Sequence, residues 1–115
     1  MPRISNPDNL IAGDFLLLVN GAVIAAGEEL KRGTVLGKIT DSGKYTIAKA
    51  AAGDGSEAPI AILGTDVAAS EEDRQAEIYI TGLFSANHVT LGEGITEEAA
   101  AEELHKRSIF LVRTI

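Results

Sequence analysis

The chain contains no cysteine and no tryptophan, and only 4% of its 115 residues are aromatic. Without cysteine, neither disulfide bonds nor thiolate metal sites can form. Cysteine usage therefore does not indicate whether the protein works in an oxidising or a reducing compartment. With so few large side chains, the core must be thin and built from isoleucine, leucine and valine. A chain of this length is typical of one domain that buries about 65% of its unfolded surface. We therefore expect other subunits to cover part of its apolar surface.

Basic residues are also scarce, because 10 lysines and arginines stand against 17 aspartates and glutamates, for a formal net charge of −7. Nucleic-acid binding needs a concentrated positive surface, so this balance argues against it. Long apolar runs are missing as well. Residues 15–26 are interrupted by Asn20-Gly21 and are too short to span a bilayer. The sequence therefore predicts a soluble protein made inside the cell, with neither nucleic acid nor membrane as a partner.

In the first 13 residues, the apolar side chains follow neither the two-residue spacing of a strand nor the 3.6-residue spacing of a helix. They predict a flexible arm in front of a single domain over residues 14–115. Two interpretations of this arm remain open. It is either a terminus that frays without function, or a segment that becomes ordered by adding a strand to the edge of a partner's sheet.

Most of the remaining pattern predicts β-strands. Asn20-Gly21 between two apolar runs predicts a hairpin with a type I′ turn, which needs positive φ at both central residues. Alternating or short apolar segments bounded by turn residues predict further strands at residues 35–40, 44–49, 60–63, 77–84 and 109–112. Within residues 77–84, alternation places Ile78, Ile80 and Phe84 on one face. Residues 64–74 are polar and acidic, which indicates a loop or a single helical turn.

The run Phe15-Leu16-Leu17-Leu18-Val19 does not alternate, so both of its faces should be covered. One face can meet the core of the domain, and the other needs a second layer of this chain or a neighbouring subunit. Alternate residues of a strand share a face. We therefore take Phe15, Leu17 and Val19 as the candidate oligomer interface.

One helix is predicted over residues 97–107. Thr96 is a suitable N-cap, and Glu97 and Glu98 lie in the first turn, where the helix dipole favours negative charge. The apolar stripe is narrow, which is typical of a helix at the periphery of a sheet; it consists of Ala100, Ala101 and Leu104. The fold class predicted is mainly β with one short α-helix.

Two groups of residues could carry chemistry. Glu98, Glu102 and His105 share one helix face at a spacing found in di-iron carboxylate bundles, but such sites need ligands from several helices. A solvated acidic face is the favoured interpretation. His88 could join an acid and a serine in a catalytic array, with candidates Ser85, Asp66 and Asp73. No Gly-x-Ser-x-Gly elbow is present, so a surface or interface histidine is favoured.

Three loop segments have some features of ligand sites but lack others that such sites need. Gly33-Thr34-Val35-Leu36-Gly37-Lys38 is one residue short of a phosphate loop and is followed by Ile39 instead of serine or threonine. The glutamates around Gly92-Glu93-Gly94 would repel a pyrophosphate. Asp54-Gly55-Ser56-Glu57 lacks the alternating ligands of a calcium loop. No cofactor or metal is therefore expected.

The segment Gly27-Glu28-Glu29-Leu30-Lys31-Arg32-Gly33-Thr34-Val35-Leu36-Gly37 resembles the signature of tailed-phage head decoration proteins, the family of the lambda capsid-stabilising protein. Further similar segments follow in order: Ala61-Ile62-Leu63-Gly64-Thr65-Asp66-Val67, Ile78-Tyr79-Ile80-Thr81-Gly82-Leu83-Phe84 and Ser108-Ile109-Phe110-Leu111. The resemblance implies a small β-clip barrel or sheet that assembles as a homotrimer on the outside of the phage head. It also implies the major capsid protein as partner and synthesis in the cytoplasm of a bacterial host.

Members of this family attach to capsid subunits through their N-terminal segments. The resemblance therefore implies capsid contacts in the arm, at Ile4, Ser5, Asn6, Leu10 and Ile11, and secondarily in the turn, at Glu29, Lys31 and Arg32. Two alternatives stay open. One is a β-clip module that binds a sugar or phosphate through the glycine-bounded turn of residues 27–37. The other is a metal-dependent enzyme that uses the two histidines and the helix glutamates.

Overall fold

The computed structural model describes residues 18–112, which form eight strands, one α-helix and a short 3-10 helix at Ala86–His88. The helix, α1, spans Glu97–His105. The strands are β1 (Leu18–Ile24), β2 (Glu28–Leu30), β3 (Val35–Lys38), β4 (Tyr45–Ile47), β5 (Ala61–Leu63), β6 (Val67–Ala69), β7 (Arg74–Ser85) and β8 (Ile109–Val112).

Five of these strands form a small closed barrel in the order β1-β4-β3-β5-β7, which closes because β1 pairs with both β4 and β7. β8 extends the sheet by pairing with β7 in parallel. β2 and β6 form a separate antiparallel ribbon. The predicted fold class, mainly β with one helix, is confirmed.

Strand β1 corrects the prediction of a hairpin at Asn20-Gly21. The chain continues straight through these residues, and they pair with Ile78 and Glu77 of β7. The Asn20 side chain accepts the Gly21 N–H at 3.1 Å. The local turn preference is overridden because β7 offers a long antiparallel partner that satisfies the extended backbone of β1.

The ribbon of β2 and β6 corrects a second prediction. Residues 64–74 were expected to form a loop or helical turn, but Val67–Ala69 pair with Glu28–Leu30. Gly27 and Gly33, with φ of 151° and 97°, turn the chain into and out of β2, as their positions in the sequence suggest. The ribbon packs on the barrel through Leu30, Val67 and Ala69, which are buried.

The side chains of β7 do not alternate along the whole strand as predicted, and Phe84 does not share a face with Ile78. Leu18 pairs with Thr81 and Val19 with Tyr79, so that Ile80 is an extra residue in β7. Such a bulge shifts the following side chains to the opposite face. Phe84 accordingly joins the cluster of Tyr79 rather than that of Ile78. The two aromatic ring centroids lie 5.3 Å apart.

The core is divided into two apolar clusters on opposite faces of the shared strands. The first fills the barrel interior, since it draws on all five barrel strands through residues such as Ile24, Leu36 and Ile78. The second joins the outer face of the barrel to α1 and β8 through residues such as Phe84 and Leu104. Neighbouring residues in β3, β5 and β7 therefore face different clusters, which explains their continuous apolar runs.

Helix α1 has the predicted N-cap: the Thr96 hydroxyl accepts the Ala99 N–H at 3.1 Å. Ala100 and Leu104 are buried against the barrel. The helix ends two residues earlier than predicted. Ser108, with φ of 63°, then turns the chain into β8, and its N–H bonds to the His105 carbonyl at 3.1 Å.

Asp73 connects the ends of β1 and β4. Its carboxylate accepts the Ala26 N–H at 2.8 Å and forms an ion pair with Lys44. The hydrogen bond with Lys44 and, next, that from Ala26 hold the pKa of the Asp73 carboxyl below its usual value. Similarly, the hydroxyl and N–H of Ser56 lower the pKa of Asp54 in the loop that follows β4.

Substitution of Gly37 by alanine should destabilise the barrel. A Cβ at this buried position in β3 would lie 1.9 Å from the carbonyl oxygen of Ser56. The backbone of the loop must then move, and we expect the free energy of unfolding to fall by about 3 kcal/mol or more. Urea unfolding at fixed protein concentration measures the change.

Gly21→Ala is the matched control, because nothing lies within 4 Å of its Cβ position. We expect it to change stability by less than about 1 kcal/mol. Equal effects of the two substitutions would contradict the close packing of the loop on β3.

Asp73 should make stability depend on pH. Because its pKa is lower in the folded than in the unfolded protein, its contribution is complete above the unfolded-state value of about 4 and is lost as the pH falls through the folded-state value. The difference in unfolding free energy between the wild type and Asp73→Asn should therefore shrink on acidification. Lys44→Gln should show the same trend. A difference that stays constant through this pH range would refute the assignment.

Candidate functional site

The residues predicted to contact partners fall into three groups. The arm residues Ile4, Ser5, Asn6, Leu10 and Ile11, together with Phe15 and Leu17, lie outside the described part of the chain. Val19 lies near the start of β1. Glu29, Lys31 and Arg32 lie in and after β2.

The start of β1 is an exposed apolar surface. Leu18 is 42% and Val19 is 47% exposed. Because adjacent side chains of a strand point to opposite faces, both faces of β1 are apolar at its start. Leu18 was not among the predicted interface residues, since alternation selected only Phe15, Leu17 and Val19.

The backbone of β1 also offers a free edge. One edge pairs with β7 from Leu18 to Ile24, while within residues 18–112 the other edge pairs with a strand only at Ile24. Strand edges are normally protected from other chains by charged side chains or proline. The sequence of β1, LVNGAVI, contains neither. The start of β1 therefore has both the apolar side chains and the backbone groups of an interaction surface.

The ribbon of β2 and β6 carries a shallow cavity of about 300 Å³. Its floor is apolar, formed by the buried Leu30 and Val67. Its rim is charged and exposed, and includes Glu29, Lys31 and Asp66. Two of the three turn residues predicted as contacts are thus on the accessible rim. The pairing of two three-residue strands that brings Asp66 there had no recognisable signal in the sequence.

Arg32 is turned towards its own chain. Its guanidinium donates to the Tyr79 hydroxyl at 2.6 Å and to the Gly64 carbonyl at 3.2 Å. The backbone N–H of Arg32 donates to the Asp66 carboxylate at 2.8 Å. The side chain therefore ties the turn after β2 to β7 and to the segment between β5 and β6. These contacts give Arg32 a role in positioning the ribbon.

The structure brings two of the candidate catalytic residues, His88 and Ser85, together but places both candidate acids elsewhere. His88 Nδ1 lies 3.0 Å from the hydroxyl of Ser85, which is buried. Asp66 and Asp73 have their partners elsewhere, at Arg32 and at Ala26 and Lys44. These residues do not form a Ser–His–acid array.

The helix residues Glu98, Glu102 and His105 are exposed, and the His105 ring lies 4.9 Å from the ring of Phe110, edge to face. Within residues 18–112, no three His, Asp or Glu side chains are arranged to hold a metal ion. In that same part of the chain, no helix has the length and apolar character needed to cross a bilayer.

The glycine-rich segment before β3 has its backbone donors occupied. The N–H groups of Gly33, Thr34 and Val35 bond to the carbonyls of Leu63, Lys31 and Thr90, respectively, at 2.9 to 3.0 Å. A phosphate-binding loop needs free N–H groups that point at the ligand. This segment is instead part of the barrel wall.

Removal of the Arg32 guanidinium should destabilise the protein. Arg32→Met retains the apolar stem but loses the hydrogen bonds to Tyr79 and Gly64, and we expect a loss of about 2–3 kcal/mol in unfolding free energy. The control is Arg74→Met, because Arg74 is exposed and its contacts, a hydrogen bond to the Ala68 carbonyl at 3.2 Å and an ion pair with Glu72 at 3.4 Å, are open to water. We expect its cost to stay below about 1 kcal/mol. Urea unfolding at equal protein concentrations compares the two, and equal losses would contradict the positioning role.

Comparison with known proteins gives one clear result. Residues 8–109 match the family model described as bacteriophage lambda head decoration protein D. The match covers the whole barrel, α1 and the last part of the N-terminal arm. A comparison with curated proteins found no match.

Proposed function

Because the chain belongs to the bacteriophage lambda head decoration protein D family, we propose that it binds the outside of the expanded phage head as a homotrimer and stabilises it. The family is structural, and its members are capsid proteins of the virion. The observation that carries the proposal is the length of the match, residues 8–109, which spans the whole barrel and α1 and reaches the first residue of β8. Synthesis in the cytoplasm of the bacterial host, and the absence of enzymatic activity, are part of the same proposal.

We assign the main capsid contact to the arm, at Ile4, Ser5, Asn6, Leu10 and Ile11. The support from the fold is the exposed start of β1 at Leu18 and Val19, which follows the arm in the sequence after residues 14–17. An extended arm gains affinity from main-chain hydrogen bonds when it adds a strand to a partner's sheet. Glu29 and Lys31, on the rim of the ribbon cavity, are a secondary contact.

We assign the contact between the subunits of the trimer to Val19, at the apolar start of β1, and to Phe15 and Leu17, which precede β1 in the sequence. The exposure of Val19 and Leu18 supports this assignment, because two adjacent exposed apolar side chains are better buried in an assembly than left in water. A thin core is consistent with it, since a small domain gains stability by burying further apolar surface between subunits.

A trimer would stabilise the head in two ways. Three arms on one trimer bind at high effective concentration once the first is attached, so that weak contacts combine into tight attachment. A protein that binds the expanded lattice but not its precursor shifts the equilibrium towards the expanded form by mass action.

Deletion of residues 1–13 tests the arm. We expect the full-length protein to sediment as a trimer and to pellet with expanded heads at about one trimer per local threefold axis. The deletion variant should remain a trimer but lose at least about tenfold in affinity for heads, because the strongest contacts and their avidity are removed.

The matched control keeps all 13 residues in a scrambled order, which preserves length and charge. If the deletion variant saturates the heads with unchanged affinity, the arm assignment is wrong. If the full-length protein is a monomer that does not pellet with expanded heads, the proposed function itself fails.

A further inference from the structure

Of the five junctions between neighbouring barrel strands, the one between β1 and β4 has the fewest residue pairs. It contains one residue pair, Ile24 with Tyr45, and a hydrogen bond from the Ala25 N–H to the Tyr45 carbonyl at 2.8 Å. The junctions of β3 with β5 and of β5 with β7 have two pairs each, and that of β3 with β4 has three. β1 and β7 are joined by seven.

The geometry of this junction differs from the others as well. Among the barrel strands described, β1 and β4 are parallel neighbours, whereas the other four junctions are antiparallel. Parallel pairing is slightly less stable per residue. The ring is thus closed by a short pairing of the less stable kind.

Asp73 bridges the two sides of this junction. It lies just before β7, and its carboxylate binds the Ala26 N–H, just after β1, and the Lys44 ammonium group, just before β4. The Asp73 and Lys44 side chains are 37% and 40% exposed, so that water competes for both groups. The Asp73 contacts therefore stabilise the short β1–β4 pairing, but only weakly, because they are open to water.

We propose that the barrel opens between β1 and β4 in the folded protein, and that Asp73 sets how often it does so. β1 remains attached to β7 during the opening, because seven residue pairs hold it there. The opening extends the free second edge of β1 to Ile24 and frees one edge of β4, so that both can pair with an extended segment of another chain. In the open form, the five barrel strands make a sheet whose two edge strands are β1 and β4.

Hydrogen exchange of the full-length protein, followed by NMR under conditions where opening is a fast pre-equilibrium, tests the proposal. The Ala25 amide reports on the β1–β4 junction. The Leu63 amide, bonded to the Thr34 carbonyl at 2.9 Å, reports on the interior of the sheet. Corrected for intrinsic rates, Ala25 should exchange at least about tenfold faster than Leu63, because local opening is more frequent than global unfolding.

Two substitutions separate local from global opening. Asp73→Asn should raise the Ala25 exchange rate about fivefold, since it removes the charged link that the opening breaks. Leu104→Ala, in the buried face of α1, should raise the Leu63 rate by at least tenfold through global destabilisation and leave the Ala25 rate within about twofold. Lys44→Gln provides a second way to break the link and should act like Asp73→Asn.

The proposal is overturned if Ala25 and Leu63 are equally protected in the wild type and Leu104→Ala accelerates both, because β1 then leaves β4 only when the whole protein unfolds. It is also overturned if neither Asp73→Asn nor Lys44→Gln changes the Ala25 rate.

Discussion

The pairing of β7 with three other strands is the interaction on which the rest of the fold depends. This strand of 12 residues binds β1 along one part, β5 near its middle and β8 along its last four residues. It thereby closes the barrel and also attaches the C-terminal strand, against which α1 packs. The bulge at Ile80 lets one strand serve both regions, because it redirects Phe84 to the cluster beneath the helix.

The core is built mainly from aliphatic side chains and is divided between two clusters. Three strands, β3, β5 and β7, are buried on both faces and supply both apolar clusters. Among the described residues, β1 is not covered in this way at its start, where Leu18 and Val19 are exposed. The proposed trimer would cover this exposed start of β1.

Much of this architecture could be predicted from local patterns. The strands around residues 35–40, 60–63 and 109–112 and the Thr96 cap are confirmed, because alternation and capping depend on neighbours in the sequence. The pairing of β2 with β6 and the straight path of β1 through Asn20-Gly21 were missed, since both depend on partners far along the chain. The alternation of side chains along a strand predicted Val19 as an interface residue but not Leu18. Leu18 is exposed because no described strand covers the start of β1. The Asp73 link was missed for a similar reason, because Ala26 and Lys44 approach it only in the closed barrel.

The order of the strands has a consequence for synthesis. β1 leaves the ribosome well before its antiparallel partner, which lies 63 residues further on at the Leu18–Thr81 contact. Contacts of such separation make folding slow, because a long loop must close before they form. We expect β1 to wait unpaired during translation until β7 has emerged, and the barrel to form late and in one cooperative step.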